Sequence, residues 1–299
     1  MSTTPNPVVD DLNAFHPPVR SRGMALTIDH VPYACSDLEA TAEELDELGL
    51  TPEYGGVHGN DVTHMSLLGF DDGSYLELIS EVERGDHGFW PAHIRADAGP
   101  AAWCVRVDDI LADCRQSLAA GWEVHGPLSG SRERDDGTLV EWDRAEYGSE
   151  ENRLLFPFAI EDRTPLSYRV SPTPSSASGP LTGIGEVVLA TDRPERALRL
   201  LGDRYRFPSP ARGTVEGFGT VASIPGEPIA VTEPAGEKWL QERLGQFRAG
   251  PCAVLFETED MAAARDAYPL TESRDWPDGR VAVFESERFG TRLGVIERE

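Results

Sequence analysis

One pattern recurs four times along this chain and constrains its fold more than any other feature: a strand, a helix, then three further strands. The first copy opens with Ala25-Leu-Thr-Ile-Asp-His-Val-Pro-Tyr-Ala34, a strand by its apolar content. Ser36-Asp-Leu-Glu39 follows as a capping box, in which the Ser hydroxyl and Glu carboxylate can satisfy free amides at a helix start. Leu38, Ala42, Leu45 and Leu48 supply that helix with an apolar stripe, and strands are expected over residues 53–57, 63–70 and 75–80. The second copy has a strand at 101–107 and a helix at 108–120 with Ile110, Cys114 and Leu118 on one face. Its further strands fall near Glu123, at 139–142 and at 154–160. The third has a strand at 183–190, a helix opened by Asp192-Arg-Pro-Glu195, and strands at 219–224 and 228–232. The fourth has strands at 253–257, 281–285 and 292–296 around a short helix at 260–267. The period is very roughly 70 residues.

A module with one helix leaves the other face of its four-stranded sheet uncovered, so modules must pair. The expected fold class is therefore α+β, four βαβββ modules paired into two cup-shaped half-barrel domains. The segment Ser171-Pro-Thr-Pro-Ser-Ser-Ala-Ser-Gly-Pro180 lacks periodicity and marks the division. The chain divides into an N-terminal arm (1–23), a first domain (24–165), a Pro/Ser linker (166–180) and a second, degenerate domain (181–299). The arm carries Pro5, Pro7, Pro17 and Pro18 without the apolar core of a signal peptide.

Composition narrows the function. Acidic residues number 52 against 27 basic ones, a formal charge of −25, which repels nucleic-acid phosphates and anionic membrane surfaces. Disorder does not follow from that charge, because 39% of residues are hydrophobic and recur in periodic runs. No stretch approaches the roughly 18 consecutive apolar residues of a membrane span. Cys35, Cys104, Cys114 and Cys252 are widely spaced without a Cys-x-x-Cys pair, which points to reduced core thiols in cytoplasm. Lys238 is the only lysine; acidic excess with so little lysine resembles the proteins of salt-in halophiles, whose carboxylates hold water and cations at high salt. Phosphate loops, dinucleotide fingerprints and the Gly-x-Ser-x-Gly nucleophile turn are absent from the sequence.

Several runs carry a more specific resemblance. Ile28-Asp-His-Val31 with Asp37-Leu38, then Gly55-Gly-Val-His58, Val62-Thr-His64 and Asp72-Gly-Ser-Tyr-Leu-Glu-Leu-Ile79, resemble the vicinal oxygen chelate superfamily and its glyoxalase-like domain branch. Ser131-Arg-Glu-Arg-Asp-Asp-Gly137 resembles that branch's Arg-x-Arg-Pro-Asp-Gly segment, with Asp135 in place of Pro. Leu155-Phe-Pro-Phe-Ala-Ile160 resembles its closing strand, with Ala159 substituted. The resemblance runs from about Leu26 to Asp162; the second half shares only the module pattern.

In the superfamily a first-strand His and a fourth-strand Glu from paired modules hold a metal, and the resemblance puts His30 and Glu77 on those positions. Imidazole with carboxylate suits a borderline divalent ion such as Zn, Mn, Fe, Co or Ni. The ordinary alternative is a hydrogen-bonded wall histidine and a carboxylate paired with arginine. Two protein ligands are few, since the second module offers Ala102 at the matching place and no ligand in its closing strand. Glu186 aligns with His30 through Ile184-Gly-Glu-Val-Val-Leu-Ala190, and becomes a third ligand if module one pairs with module three; if pairing is local, it lines a separate cavity. His58 stands next to a Gly pair that lets backbone turn close to a ligand, and is a candidate both for substrate binding and, with Glu77, for catalysis. Only one of Thr63 and His64 can face a cavity. Arg132 and Arg134 alternate along an extended segment and could clamp an oxyanion, or simply form surface ion pairs. Trp103, Arg106 and Trp142 could supply an apolar wall with a cation at its rim, or the tryptophans could pack in the core.

The resemblance implies a metal-dependent lyase, isomerase or dioxygenase acting on a small oxygenated metabolite. A non-catalytic binding or sequestering protein on the same cup is the alternative. The expected partner is a small molecule, with homodimer formation possible on this fold.

Overall fold

The computed structural model describes residues 25–84, 88–134 and 136–298. The N-terminal arm, His16, His87 and Asp135 lie outside them. The first sheet contains β1 (Ile28–Ala34), β2 (Glu53–Val57), β3 (Thr63–Gly69), β4 (Tyr75–Glu81), β5 (Gly99–Pro100), β6 (Cys104–Arg106), β7 (Val124–Glu133), β8 (Leu139–Tyr147) and β9 (Phe158–Asp162). Their spatial order is β2-β3-β4-β1-β6-β9-β8-β7, with β5 pairing beside β1. The second sheet contains β10 (Leu181–Ala190), β11 (Ala211–Val215), β12 (Gly219–Ser223), β13 (Ile229–Glu233), β14 (Gly250–Thr258), β15 (Arg274–Trp276), β16 (Gly279–Val283) and β17 (Leu293–Arg298). Its order, β11-β12-β13-β10-β14-β17-β16-β15, repeats that of the first.

Both sheets are two modules joined through their first strands, β1 antiparallel to β6 and β10 antiparallel to β14. Pairing is therefore local, module one with two and module three with four, which yields the expected α+β pair of curled sheets. Within a module the first and fourth strands run side by side and parallel, as β1 and β4 do.

Helix α1 (Leu38–Glu47) buries Leu38, Thr41 and Leu45 on one stripe. Its cap is Asp37, whose carboxylate accepts from Ala40 N at 3.0 Å, whereas Ser36 turns away to Asp97. The acidic side chain one position later thus takes the role the capping box would give to Ser36. After α2 (Pro91–Ile94), helix α3 (Ile110–Ala119) is capped in the same way by Asp109. The 166–180 segment folds into two short turns, α4 (Leu166–Arg169) and α5 (Pro174–Ala177). It packs onto the first sheet: Thr173 N donates to Gly69 O at 3.0 Å, and Ser175 Oγ accepts from Thr51 N at 3.0 Å. Hydroxyls and short turns anchor it, so it leaves no hydrophobic period to read. Helices α6 (Pro194–Tyr205), α7 (Lys238–Phe247) and α8 (Met261–Ala267) serve the second half.

One apolar core spans both halves. Phe70 meets Phe256 at a ring separation of 5.1 Å, and Tyr33 meets Phe289 at 5.5 Å. Arg243 on α7 reaches across to donate to Pro100 O at 2.8 Å, and Arg204 on α6 pairs with Asp113 at 3.0 Å. A second core, including Val188, Phe218, Leu240, Leu255 and Trp276, belongs wholly to the second half.

Candidate functional site

The first sheet curls around a cavity of about 480 Å³. His30, His58, Tyr75, Glu77, Arg132 and Arg169 form its buried floor; Phe89, Trp90, Trp142 and Phe158 form apolar walls. On β8 the residues Trp142, Arg144 and Glu146 face the cavity, and Asp143, Ala145 and Tyr147, which alternate with them, are buried, as a strand imposes.

The floor starts at β1. Pairing of β1 with β6 slips between Ile28 and His30, and such an irregularity redirects side chains locally. The Asp29 and His30 side chains meet there, Oδ1 to Nδ1 at 2.6 Å. Asp29 is fully buried and its oxygens also accept from Arg169, at 2.6 and 2.7 Å, and from Arg106 Nε at 3.0 Å. Burial alone would push the Asp29 carboxyl up; the charge and hydrogen bonds of Arg169, with help from His30, hold it far below the usual carboxylate range. Arg169 in turn uses its remaining donors on Asp162, at 2.7 and 2.9 Å, and on the Tyr75 hydroxyl at 2.7 Å. Every N–H of its guanidinium fork is thereby matched.

Because an ionised carboxylate only accepts, the Asp29 contact calls for the proton on His30 Nδ1 and leaves Nε2 directed at Glu77 Oε2, 3.5 Å away. The His30 ring lies flat on Tyr75, with centroids 4.7 Å apart and planes within 12°. His58 approaches from the end of β2, its Nε2 3.2 Å from Glu77 Oε1. Its Nδ1 lies 2.9 Å from Thr63 Oγ1 and 3.2 Å from the Thr63 carbonyl oxygen. The carbonyl favours a proton on Nδ1; the hydroxyl can serve either tautomer. Burial pushes the Glu77 carboxyl up, but the His58 hydrogen bond and the charges of His58, His30 and Arg132 outweigh it, so its pKa is lowered overall.

This donor set fits a divalent cation. Two imidazole nitrogens and a carboxylate converge from one module, with open space on the cavity side. Asp29 and Thr63 are placed to fix the rings, as outer partners of metal-ligating histidines do. A second grouping, Asp29, His30 and Cys104, brings ligand atoms within 4.8 Å of one another. It does not fit: both Asp29 oxygens are held by guanidinium groups, and burial followed by the Asp29 charge pushes the Cys104 thiol well above its ordinary value.

His30, His58, Glu77 and Arg132 thus come together, while the other sequence candidates stand elsewhere. Thr63 is buried behind His58. Arg106 braces Asp29 and the Gly73 carbonyl. Trp103 is buried in the shared core, and its neighbour Ala102 lines the cavity. Arg134 lies past the end of β7, reaches Tyr168 O at 3.3 Å, and borders a smaller groove on the outside. Arg132 borders both spaces and donates to Gly55 O at 2.6 Å and Arg169 O at 2.7 Å, tying β7 to β2 across the two edges of the sheet. Glu186 lies in the second sheet, so it cannot join His30. Trp276 Nε1 and Arg298 bind it at 2.8 and 2.7 Å, and burial raises its pKa to about 7.

Sequence reasoning missed Asp29, Tyr75 and Arg169. Asp29 and Tyr75 sit inside the runs that carry the family resemblance, beside the two residues chosen. Arg169 falls in the segment read as linker, where no local pattern marks it.

A glyoxalase-like domain model matches residues 28–204, from β1 through most of α6. No curated protein matches the chain by sequence. Among solved structures, a hypothetical protein from Staphylococcus aureus superposes with a TM-score of 0.60 at 14% identity, covering 90% of this chain and 98% of that one. A fusion of a xylose isomerase-like TIM barrel with 4-hydroxyphenylpyruvate dioxygenase gives 0.56 at 16% identity over 92% of this chain and 49% of the fusion. A triple mutant of 4-hydroxymandelate synthase from Streptomyces coelicolor gives 0.53 at 14% identity, covering 92% and 93% of the two chains. At these identities the likeness concerns the fold.

Proposed function

The chain belongs to the glyoxalase-like domain family, and from that premise we propose that it is an enzyme of the vicinal oxygen chelate fold acting on a small oxygenated metabolite inside the first cup. His30, His58 and Glu77 would hold one divalent ion, such as Zn, Mn, Fe, Co or Ni. The observation that carries this reading is the direction of the two imidazoles. Both Nε2 atoms face the oxygens of the single buried Glu77, and both Nδ1 atoms are engaged by protein partners.

Bound there, such an ion supplies Lewis-acid polarisation of a substrate oxygen, or oxygen activation if it is iron. The chain's own residues do the rest. Asp29 and Arg169 keep the His30 ring in one tautomer and orientation. With no ion bound, Glu77, held ionised by its neighbours, would itself be placed to accept a proton from a substrate carbon or hydroxyl. Phe89, Trp90, Trp142 and Phe158 exclude water and grip an apolar substrate body. No helix among the described residues is long and apolar enough to cross a membrane, and the four cysteines are free and buried, which supports a reducing, cytoplasmic setting.

Titration of metal-free protein with each of the five ions is the direct test. We expect one ion per chain for at least one metal, with uptake lost in His30→Ala, His58→Ala and Glu77→Gln. A folded wild-type chain that takes up none of them sinks the metal reading. One observation favours binding without catalysis: His58 already satisfies Glu77 directly, at 3.2 Å. In that reading small-metabolite stabilisation is indifferent to chelator.

A further inference from the structure

The whole chain carries 52 acidic against 27 basic residues, yet five arginines and only three glutamates line the first cavity. Arg132 and Arg169 are buried at its floor, whereas Arg144, Arg153 and Arg248 stand toward its solvent side. Arg144 and Arg153 share one carboxylate, Glu146, at 2.6 and 3.4 Å. Arg248 comes from the other half, as the residue that ends α7. Glu151, whose charge senses Arg248, is paired with Arg196 instead at 3.1 Å.

The backbone at Arg248 has φ 64° and ψ −169°, a region nearly closed to residues with a Cβ. Trp90, on the cavity wall, is also left-handed at φ 46°. Strain of this kind persists only where surrounding structure holds it, and here it presents a cation and an aromatic face to one cavity. A cleft in which one sign of charge predominates between apolar walls concentrates ligands of the opposite sign.

We propose that the cavity takes a small organic anion with a flat apolar body. Its oxygen-bearing end meets Glu77, its body lies against Trp90 and Trp142, and its anionic group sits among Arg144, Arg153 and Arg248. Arg248 is then a specificity-determining residue, and the second half completes a site it does not itself contain. This rests on placing the ligand site in the first cup, and is independent of whether a metal is held there.

Calorimetric titration in chelator, with 2-naphthoate and its neutral analogue 2-naphthamide as probes, tests it. Wild type should bind naphthoate about tenfold more tightly than the amide, the scale of one added charged hydrogen bond. Arg248→Ala should weaken naphthoate about tenfold and leave the amide within about twofold. Arg248→Gly should do the same while melting no lower than wild type, since glycine accepts this backbone without strain. Lys238→Ala, which removes an exposed ion pair with Glu242 outside the cavity, should change neither affinity. The proposal is overturned if naphthoate does not bind, if the two probes bind alike, or if neither Arg248 variant alters their ratio. A chain that takes up no metal yet keeps the naphthoate preference would refute the metal reading alone.

Discussion

The two cups share one strand order and differ in what fills them. In the first, β1 offers His30 and β4 offers Glu77; in the second, the parallel register of β10 with β13 sets Glu186 where His30 would be and Ala230 where Glu77 would be. Trp276, Phe218 and Leu240 occupy the second interior as packed core, and Trp276 spends its N–H on Glu186. The first interior stays open because Ala102 and the spaced aromatic walls leave volume that a network of ion pairs, more than packing, holds in shape. A single sheet topology thus becomes an open cup or a plain core according to a few inward side chains.

The largest effects should come from breaking what each cup relies on. Arg169→Ala leaves Asp29 buried without its main partner, and we expect a loss of about 3–5 kcal/mol in urea unfolding. The isosteric Asp29→Asn in the same background should recover part of it. Trp276→Ala should cost about 3–5 kcal/mol as a true core truncation, whereas Trp142→Ala, beside an existing cavity, should cost less than about 2 kcal/mol. Equal costs would mean the first cup is not open in solution.

The pH dependence separates the cups by sign. Glu186 has its pKa raised to about 7 from 4.5, so its contribution to stability is present below pH 4.5 and is lost as pH rises through about 7. Glu77 is lowered, so its contribution is present above its unfolded value and is lost as pH falls through the folded one. Relative to Glu186→Gln, wild type should lose at most about 3 kcal/mol between pH 4.5 and 8; relative to Glu77→Gln, it should lose stability toward acid. Matching signs in the two unfolding series would contradict the assignment. The smallest effect should be that of salt. With a formal charge of −25, self-repulsion should lower the melting temperature on desalting, and molar KCl should raise it by several degrees.

Much of the fold was legible in sequence because periodicity is a local signal. The strands at 53–57, 63–70 and 75–80 are found within a residue of their expected ends. The pairing of modules was not legible, since nothing in a strand's own pattern says which first strand it will meet. Five of the six floor residues, His30, His58, Tyr75, Glu77 and Arg132, stand in runs that the resemblance picked out. Their partners did not stand out for physical reasons: Asp29 needs an irregular β1–β6 pairing to turn toward His30, and Arg169 acts 140 residues away from it. Trp103 was a candidate for the apolar wall, but it packs in the core while its smaller neighbour Ala102 borders the cavity.

A metal-binding cluster confined to the first cup should respond to Glu77 and ignore Glu186. Equilibrium dialysis against Co(II) can compare wild type with Glu77→Gln and Glu186→Gln. One ion per chain is expected in wild type and in Glu186→Gln, and none in Glu77→Gln. Uptake that survives Glu77→Gln, or that disappears in a folded Glu186→Gln chain, would contradict that confinement.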